Sequence, residues 1–261
     1  VVFVVMAVDF RLLLADFRAA HGLSCRSFKL RMIPALTALR IRRPASARGR
    51  FAPNGLLAYT APMSVPDETA INPVRQREVV AALSAFLPAG ALLHDREDVQ
   101  PYECDGLSAY RRLPMVVALP ETEDQVREIL RTCHRLRVPV VARGAGTGLS
   151  GGALPPGDGV LLSLSRFMRI LEIDPVTRTA RLQPGVRNLA ISEAVAPLGL
   201  YYAPDPSSQI ACSIGGNVAE NAGGMHCLKY GLTVHNVLKL RAWTIEGDLI
   251  EIGSDGLDAA G

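Results

Sequence analysis

Apolar and polar positions follow two different periods along this chain, and the change from one to the other outlines its architecture. Residues 76–87 place Val79, Val80, Leu83, Phe86 and Leu87 on one helical stripe, which Pro88 and Gly90 end. Residues 115–119 are a short unbroken apolar run, the pattern of a buried strand. Thr122 and Gln125 then form a capping-box pair ahead of Val126, Ile129, Leu130 and Cys133, which predicts a second helix to about residue 137. Residues 138–142 are the next apolar run, so the stretch reads as the strand, helix, strand unit that builds a small parallel sheet.

Beyond it the runs shorten. Residues 160–164, 170–173 and 179–182 predict a strand and then a hairpin around Asp174-Pro175. A helix returns at 188–195, and residues 237–245 and 249–252 flank Glu246-Gly247-Asp248 as a second hairpin. One small parallel unit followed by hairpins and isolated helices predicts an α+β fold in two lobes, not a doubly wound sheet.

Residues 1–62 show no sustained period. Net charge over the whole chain is +3, but the first sixty residues carry ten Lys or Arg against Asp9 and Asp16, which leaves the remainder mildly acidic. That remainder offers no electrostatic footprint for nucleic acid, so no nucleic-acid partner is expected. The basic stretch Ile41-Arg42-Arg43-Pro44-Ala45-Ser46-Ala47-Arg48-Gly49-Arg50 superficially resembles an organelle transit sequence. A simpler expectation is that residues 1–62 are a basic extension, disordered or not native, which adds nothing to the fold, with Met63 as the natural start. Residues 63–110 then form a helical lead-in and residues 111–261 the main domain, incomplete at its carboxyl end. The opening apolar run, residues 1–8, is far shorter than the roughly 20 residues needed to cross a bilayer. Five widely spaced cysteines without a Cys-x-x-Cys pair indicate neither a disulfide framework nor a metal site and suit a reducing, cytoplasmic setting.

The chemistry is concentrated in glycine. Arg143-Gly144-Ala145-Gly146-Thr147-Gly148-Leu149-Ser150-Gly151-Gly152 follows directly on the run at 138–142 and holds five glycines in nine residues. Such a loop brings backbone N–H groups close to a phosphate, and Thr147 and Ser150 can add hydroxyl donors, so a diphosphate is its natural ligand. Gly146, Gly148 and Gly151 also satisfy the nicotinamide-dinucleotide spacing, with Glu172 near the expected acidic position. That fingerprint needs a helix after the glycines, whereas Ala153-Leu154-Pro155-Pro156-Gly157-Asp158-Gly159 leads into a strand. A second cluster, Ser213-Ile214-Gly215-Gly216-Asn217-Val218-Ala219-Glu220-Asn221-Ala222-Gly223-Gly224, follows the rigid turn Pro204-Asp205-Pro206-Ser207-Ser208. One elongated ligand with a central diphosphate and a flat ring, such as FAD, could bridge both clusters. Gly215 and Gly216 would let the backbone approach the ring, with Ser213, Asn217 and Asn221 as hydrogen-bonding groups and Pro204, Asp205, Gly223 and Gly224 completing the surface. His134 and His226 each adjoin a cysteine, Asp105 and Glu103 sit in one loop, and Asp174 precedes a proline; none reads as a nucleophile, a general base or a metal ligand.

The first glycine run, the segment Pro204-Asp205-Pro206-Ser207-Ser208-Gln209-Ile210-Ala211-Cys212-Ser213-Ile214-Gly215-Gly216-Asn217 and Lys229-Tyr230-Gly231-Leu232-Thr233 resemble the FAD-linked subunits of bacterial glycolate oxidases, within the vanillyl-alcohol-oxidase (PCMH-type) flavoprotein family. The likeness extends from about residue 65 to 261 and includes Pro101-Tyr102-Glu103-Cys104-Asp105-Gly106-Leu107-Ser108-Ala109-Tyr110. It implies a two-lobed PCMH-type FAD-binding domain with FAD between the lobes. It also implies oxidation of a small 2-hydroxy acid such as glycolate or D-lactate, with hydride passing from the α-carbon to flavin N5. Catalytic groups are expected in a later substrate domain, and other glycolate oxidase subunits, including an iron–sulfur subunit, are the implied partners. Association with a membrane would then be peripheral, through those subunits. A non-catalytic subunit that keeps only the fold is the reading from another class.

Overall fold

The computed structural model of the protein describes residues 6–16 and 71–253. Two larger sheets with separate apolar cores, and one two-stranded ribbon, make up the two lobes among the described residues, in agreement with an α+β class.

The first lobe is built on the parallel unit. Helix α1 (Pro73–Ser84) starts at Asn72, whose side chain accepts from the N–H groups of Val74 and Arg75, and it buries Val79 and Leu83. Strand β3 (Leu92–Leu93) and a short helix α2 (Arg96–Val99) precede strand β4 (Val116–Ala118). Helix α3 (Glu123–Leu136) has the predicted capping box at Thr122 and Gln125 and ends at Arg137 in the left-handed region. Strand β5 (Val140–Arg143) follows, and strand β6 (Val160–Ser163) inserts between its two predecessors, so the sheet order is β3-β4-β6-β5. Strands β4 and β5 each pair with β6 in parallel, while β3 is antiparallel to β4. Val116, Val117, Leu161 and Leu162 are fully buried in one core that also takes in Val126, Ile129 and Leu130 of α3. Cys133 belongs to that core, and burial pushes its thiol up to about 12.

The second lobe is antiparallel. Strands β7 (Ile170–Asp174) and β8 (Thr179–Leu182) form the expected hairpin, in which Asp174 is a turn residue: its Oδ1 accepts from Val176 N and Thr177 N. Helix α4 (Asn188–Val195), strand β9 (Leu200–Tyr201), helix α5 (Ile214–Glu220) and helix α6 (Cys227–Tyr230) lead to the second hairpin, β10 (Val237–Trp243) and β11 (Leu249–Gly253).

One expectation is corrected here. Strand β1 (Met6–Leu13) lies in the middle of this sheet, whose order is β11-β10-β1-β8-β7, and strand β2 (Ala15–Asp16) pairs with β9. Part of residues 1–62 therefore does belong to the fold, joining two hairpins that do not otherwise pair. Leu12 and Leu14 are buried in the second core with Leu182, Ile191 and Ile214. The alternation of Val8, Phe10 and Leu12 with Asp9 and Arg11 carried that signal, and the basic composition of the longer segment concealed it. Met63 and the rest of the expected extension lie outside the described residues.

The lobes meet along β10 and α3. Trp243 is buried in the first core with the Arg127 guanidinium over its ring at 5.9 Å, and Arg241 reaches Glu123 at 3.4 Å.

Candidate functional site

Both glycine clusters sit where a lobe presents a loop or a helix start to its neighbour. Residues 144–152 leave the carboxyl end of β5 and return through 153–159 to β6 without an intervening helix, which removes the structural basis of the nicotinamide fingerprint. The second cluster is different: Gly215, Gly216 and Asn217 lie inside the first turns of α5, not in a loop. Pro184 O accepts from Gly215 N at 2.8 Å and Val186 O from Ile214 N at 2.9 Å, so the helix start is held against the segment that opens α4. A Cβ at Gly215 would lie 2.8 Å from Pro184 Cβ, which explains a glycine there by contact.

The clusters touch. A Cβ on Gly144 would overlap Ser213 Oγ, so the first glycine of the loop is pressed onto the residue that starts α5. Farther along, Ser150 Oγ donates to Glu220 Oε2 at 2.8 Å, and a Cβ on Gly152 would stand 2.5 Å from Glu220 Oε1. The loop thus contacts α5 at both ends. Between those contacts Gly148 is open: nothing lies within 4 Å of where its Cβ would be. Ser213 Oγ and Asn217 Nδ2 are buried and have no protein partner. Buried polar atoms are nearly always hydrogen-bonded, so two without a protein partner on a single helix start are free to take a polar ligand, although Asp105 Oδ2, Asn188 Oδ1 and Trp243 Nε1 are also without one. Loop amides, a gap and unpaired polar atoms fit a diphosphate-bearing cofactor such as FAD.

The other expected residues have partners of their own. Asp205 Oδ1 accepts from His226 N at 2.9 Å, its Oδ2 faces His226 Nδ1 at 2.9 Å, and Gly224 packs on its main-chain oxygen. Pro204 O accepts from Asn188 Nδ2 at 2.9 Å. Asn221 ends α5 in the left-handed region, and its Oδ1 accepts from Val234 N. Gly223 packs on Leu232. Gly144, Ser150, Ser213 and Gly216 are therefore gathered at the junction, while Asp205, Asn221, Gly223 and Gly224 make contacts that shape the chain around it.

Three contributors were missed in the sequence. Glu220 holds Ser150, and Asn188 is buried and ties the 204–206 turn to α4. Gly106 packs under the loop, its Cβ position 2.7 Å from Gly148 O and 2.8 Å from Thr147 O. A buried Asn at the start of an amphipathic helix is a readable signal; the other two depend on contacts far apart in sequence.

A groove of about 680 Å³ adjoins the second cluster through Asp205 and His226 and is walled by Leu189, Tyr201 and Tyr230; none of residues 143–152 lines it. The Tyr202 hydroxyl on this groove is also buried without a partner, but the glycine-loop amides and the open Gly148 lie at the junction, which is where a diphosphate fits. Burial raises the phenols of Tyr201 and Tyr202 above their usual value, which keeps both neutral at ordinary pH. Among the described residues no group of three or more His, Cys, Asp or Glu could hold a metal ion, and no helix is long and apolar enough to cross a membrane.

Comparison with known proteins agrees with this geometry. The sequence pattern of the family described as "FAD binding domain" matches residues 114–253. The glycolate oxidase subunit GlcD of Escherichia coli (strain K12) is 65% identical over 192 residues, which cover 74% of this chain and 38% of that protein. The D-2-hydroxyglutarate dehydrogenase of Xanthomonas citri pv. viticola is 34% identical, covering 67% of this chain and 37% of that protein. The chain thus spans less than two fifths of the length of these relatives. Among solved structures, alkyldihydroxyacetonephosphate synthase shares the fold with a TM-score of 0.60 at 22% identity, over 67% of this chain and 38% of that one. The described fold is of the PCMH, vanillyl-alcohol-oxidase type. With a family pattern that covers more than half of its length, the protein belongs to the FAD binding domain family, and its cofactor is FAD.

Proposed function

We propose that this chain is the FAD-holding part of a flavin-dependent oxidoreductase acting on the CH–OH group of a 2-hydroxy acid, of the glycolate or D-lactate type. The observation that carries the reading is the junction of Gly144 and Ser150 with Ser213 and Glu220, which leaves Ser213 Oγ and Asn217 Nδ2 buried and unpaired beside an open loop. The relatives named for glycolate and D-2-hydroxyglutarate support the substrate class, because both acids carry a hydroxyl on the carbon next to a carboxylate.

Residues 144–150 hold the diphosphate with backbone N–H groups and the hydroxyl of Thr147, while the Ser150 hydroxyl, committed to Glu220, fixes the far end of the loop on α5. Ser213 and Asn217 orient the flavin end, and Gly215 and Gly216 admit it close to the α5 backbone. The chemistry FAD supplies when bound is acceptance of a hydride at flavin N5 from the substrate α-carbon, which leaves a 2-oxo acid. Such a transfer needs the α-carbon held about 3–3.5 Å from its acceptor and a base for the hydroxyl proton. The carboxylate clamp and that base are assigned to the part of the relatives' length that this chain does not span. Other glycolate oxidase subunits, an iron–sulfur subunit among them, are the proposed partners, in a cytoplasmic complex that meets a membrane only through them.

The test reads the visible spectrum of the purified chain during titration with FAD and, separately, with NADH, followed by dye reduction with a panel of 2-hydroxy acids. The same assay is run on a chain extended to the relatives' length. FAD binding by both and turnover by the extended chain alone are expected. NADH binding without FAD binding would refute the cofactor assignment, and an extended, FAD-loaded chain that ignores every 2-hydroxy acid would refute the substrate class.

A further inference from the structure

We propose that Arg143 and residues 102–105 form a staple that sets the shape of the glycine loop, so that Arg143 is a positioning residue and does not itself touch the cofactor diphosphate. This rests on the FAD reading above.

The guanidinium is buried at the foot of the loop. Its Nη1 donates to Cys104 O at 2.8 Å and to Ala153 O at 3.3 Å, and its carbon lies 5.7 Å from the centre of the Tyr102 ring. Arg143 precedes the loop and Ala153 follows it, so one side chain ties both ends of residues 144–152 to a common point. The loop also folds over this group. Gly146 has φ +69°, and a Cβ there would fall inside the guanidinium. On the other side, Asp105 Oδ1 accepts from Leu107 N at 2.8 Å, in a turn that presents Gly106 to Thr147 O and Gly148 O. Burial lowers the guanidinium from its ordinary value, and the neighbouring Cys104 and Asp105 oppose that in part.

A loop with five glycines loses much backbone entropy on ordering, and amides that await an anion bind it tightly only if they are already aimed. Two carbonyl bonds from a charged donor and an aromatic face supply that order before the ligand arrives. Residues 102–106 precede the stretch matched by the family pattern, so the staple extends the cofactor site into a segment the pattern does not cover.

The experiment uses the full 261-residue chain and its variants Arg143→Met, Arg143→Lys, Tyr102→Leu and Tyr102→Phe. Amide hydrogen exchange is measured without FAD, and FAD affinity at low and moderate salt. Arg143→Met and Arg143→Lys should each speed exchange across residues 144–152 about tenfold or more and weaken FAD by a similar factor, since methionine donates nothing and the shorter lysine loses the reach of Nη1 and the planar face over Tyr102. Exchange in α3 should not change. Tyr102→Leu should move the same amides less, and Tyr102→Phe, which keeps the ring face, should restore them. The salt dependence of FAD binding should match the original chain in Arg143→Lys and both Tyr102 variants, which keep the positive charge under the loop. Original loop exchange in Arg143→Met, or weaker FAD binding with a flattened salt dependence and an unchanged loop, would overturn the proposal and make Arg143 a direct phosphate ligand. Should the Arg143 variants fail to fold, the Tyr102 pair decides by the same exchange. A chain that binds no FAD at all would sink the cofactor reading while the exchange measurement still judged the staple.

Discussion

Gly148→Ala and Gly144→Ala separate a cofactor cradle from a loop that is merely tightly packed. At Gly148 the backbone is not in the left-handed region and nothing stands within 4 Å of the new methyl, so the protein alone should tolerate the change. Replacing a glycine where alanine fits stabilises by about 0.4–1 kcal/mol through the unfolded chain. If the open space is where the diphosphate lies, the methyl displaces it from one amide donor. Hydrogen bonds to a charged group contribute about 1.5–3 kcal/mol each, so FAD affinity should fall roughly 10- to 150-fold. Gly144→Ala should behave in the opposite sense, because its methyl meets Ser213 Oγ and overpacking costs about 1–3 kcal/mol of stability before any ligand is added. Thermal unfolding of the FAD-free chain and fluorescence titration with FAD give the two numbers for each variant. A Gly148→Ala chain that binds FAD as tightly as the original would show that the gap beside Gly148 is not the ligand seat.

Three further outcomes follow from the same structure. Burial holds the Cys133 thiol near 12 against an ordinary value of 9.0; because the unfolded chain releases this proton first, stability should drop by about 1.4 kcal/mol per pH unit as pH rises from about 9 towards 12. Below pH 9 that stability is fully present, and urea unfolding of Cys133→Val, which has no thiol to ionise, should lack this part of the alkaline slope. Deleting residues 1–16 should cost about 3–6 kcal/mol from the buried side chains of Leu12 and Leu14, read as a lower urea midpoint; an unchanged midpoint would remove β1 from the fold. FAD should be held without a covalent bond, since residues 143–152 contain neither His nor Cys, so acid precipitation should release the yellow colour, and colour kept in the pellet would direct attention to Cys212.

The first lobe was legible because local signals set it. The Thr122 and Gln125 capping box, the stripe from Val126 to Cys133 and the apolar runs around them are each readable within a dozen residues. The helix at Asn188–Val195 and both hairpins were legible for the same reason. Strand β1 was not, because its place between β8 and β10 is settled by partners more than 160 residues away. The glycine clusters announced a ligand from composition, yet the sequence could not tell which members meet. Gly144 is a glycine because Ser213 stands against it and Gly106 because Thr147 and Gly148 do, and neither contact has a local signature. Helix α5 was hidden by its own glycines, which have low helix propensity; anchoring of its first N–H groups on Pro184 and Val186 outweighs that cost.

The central claim is that one FAD molecule spans the junction of the two glycine clusters. Amide hydrogen exchange of the intact chain, with and without saturating FAD, tests it most directly. The account predicts simultaneous protection of residues 144–150 and 213–217, with the walls of the groove at Leu189, Tyr201 and Tyr230 unchanged. Protection confined to those walls, or to only one of the two clusters, would contradict it.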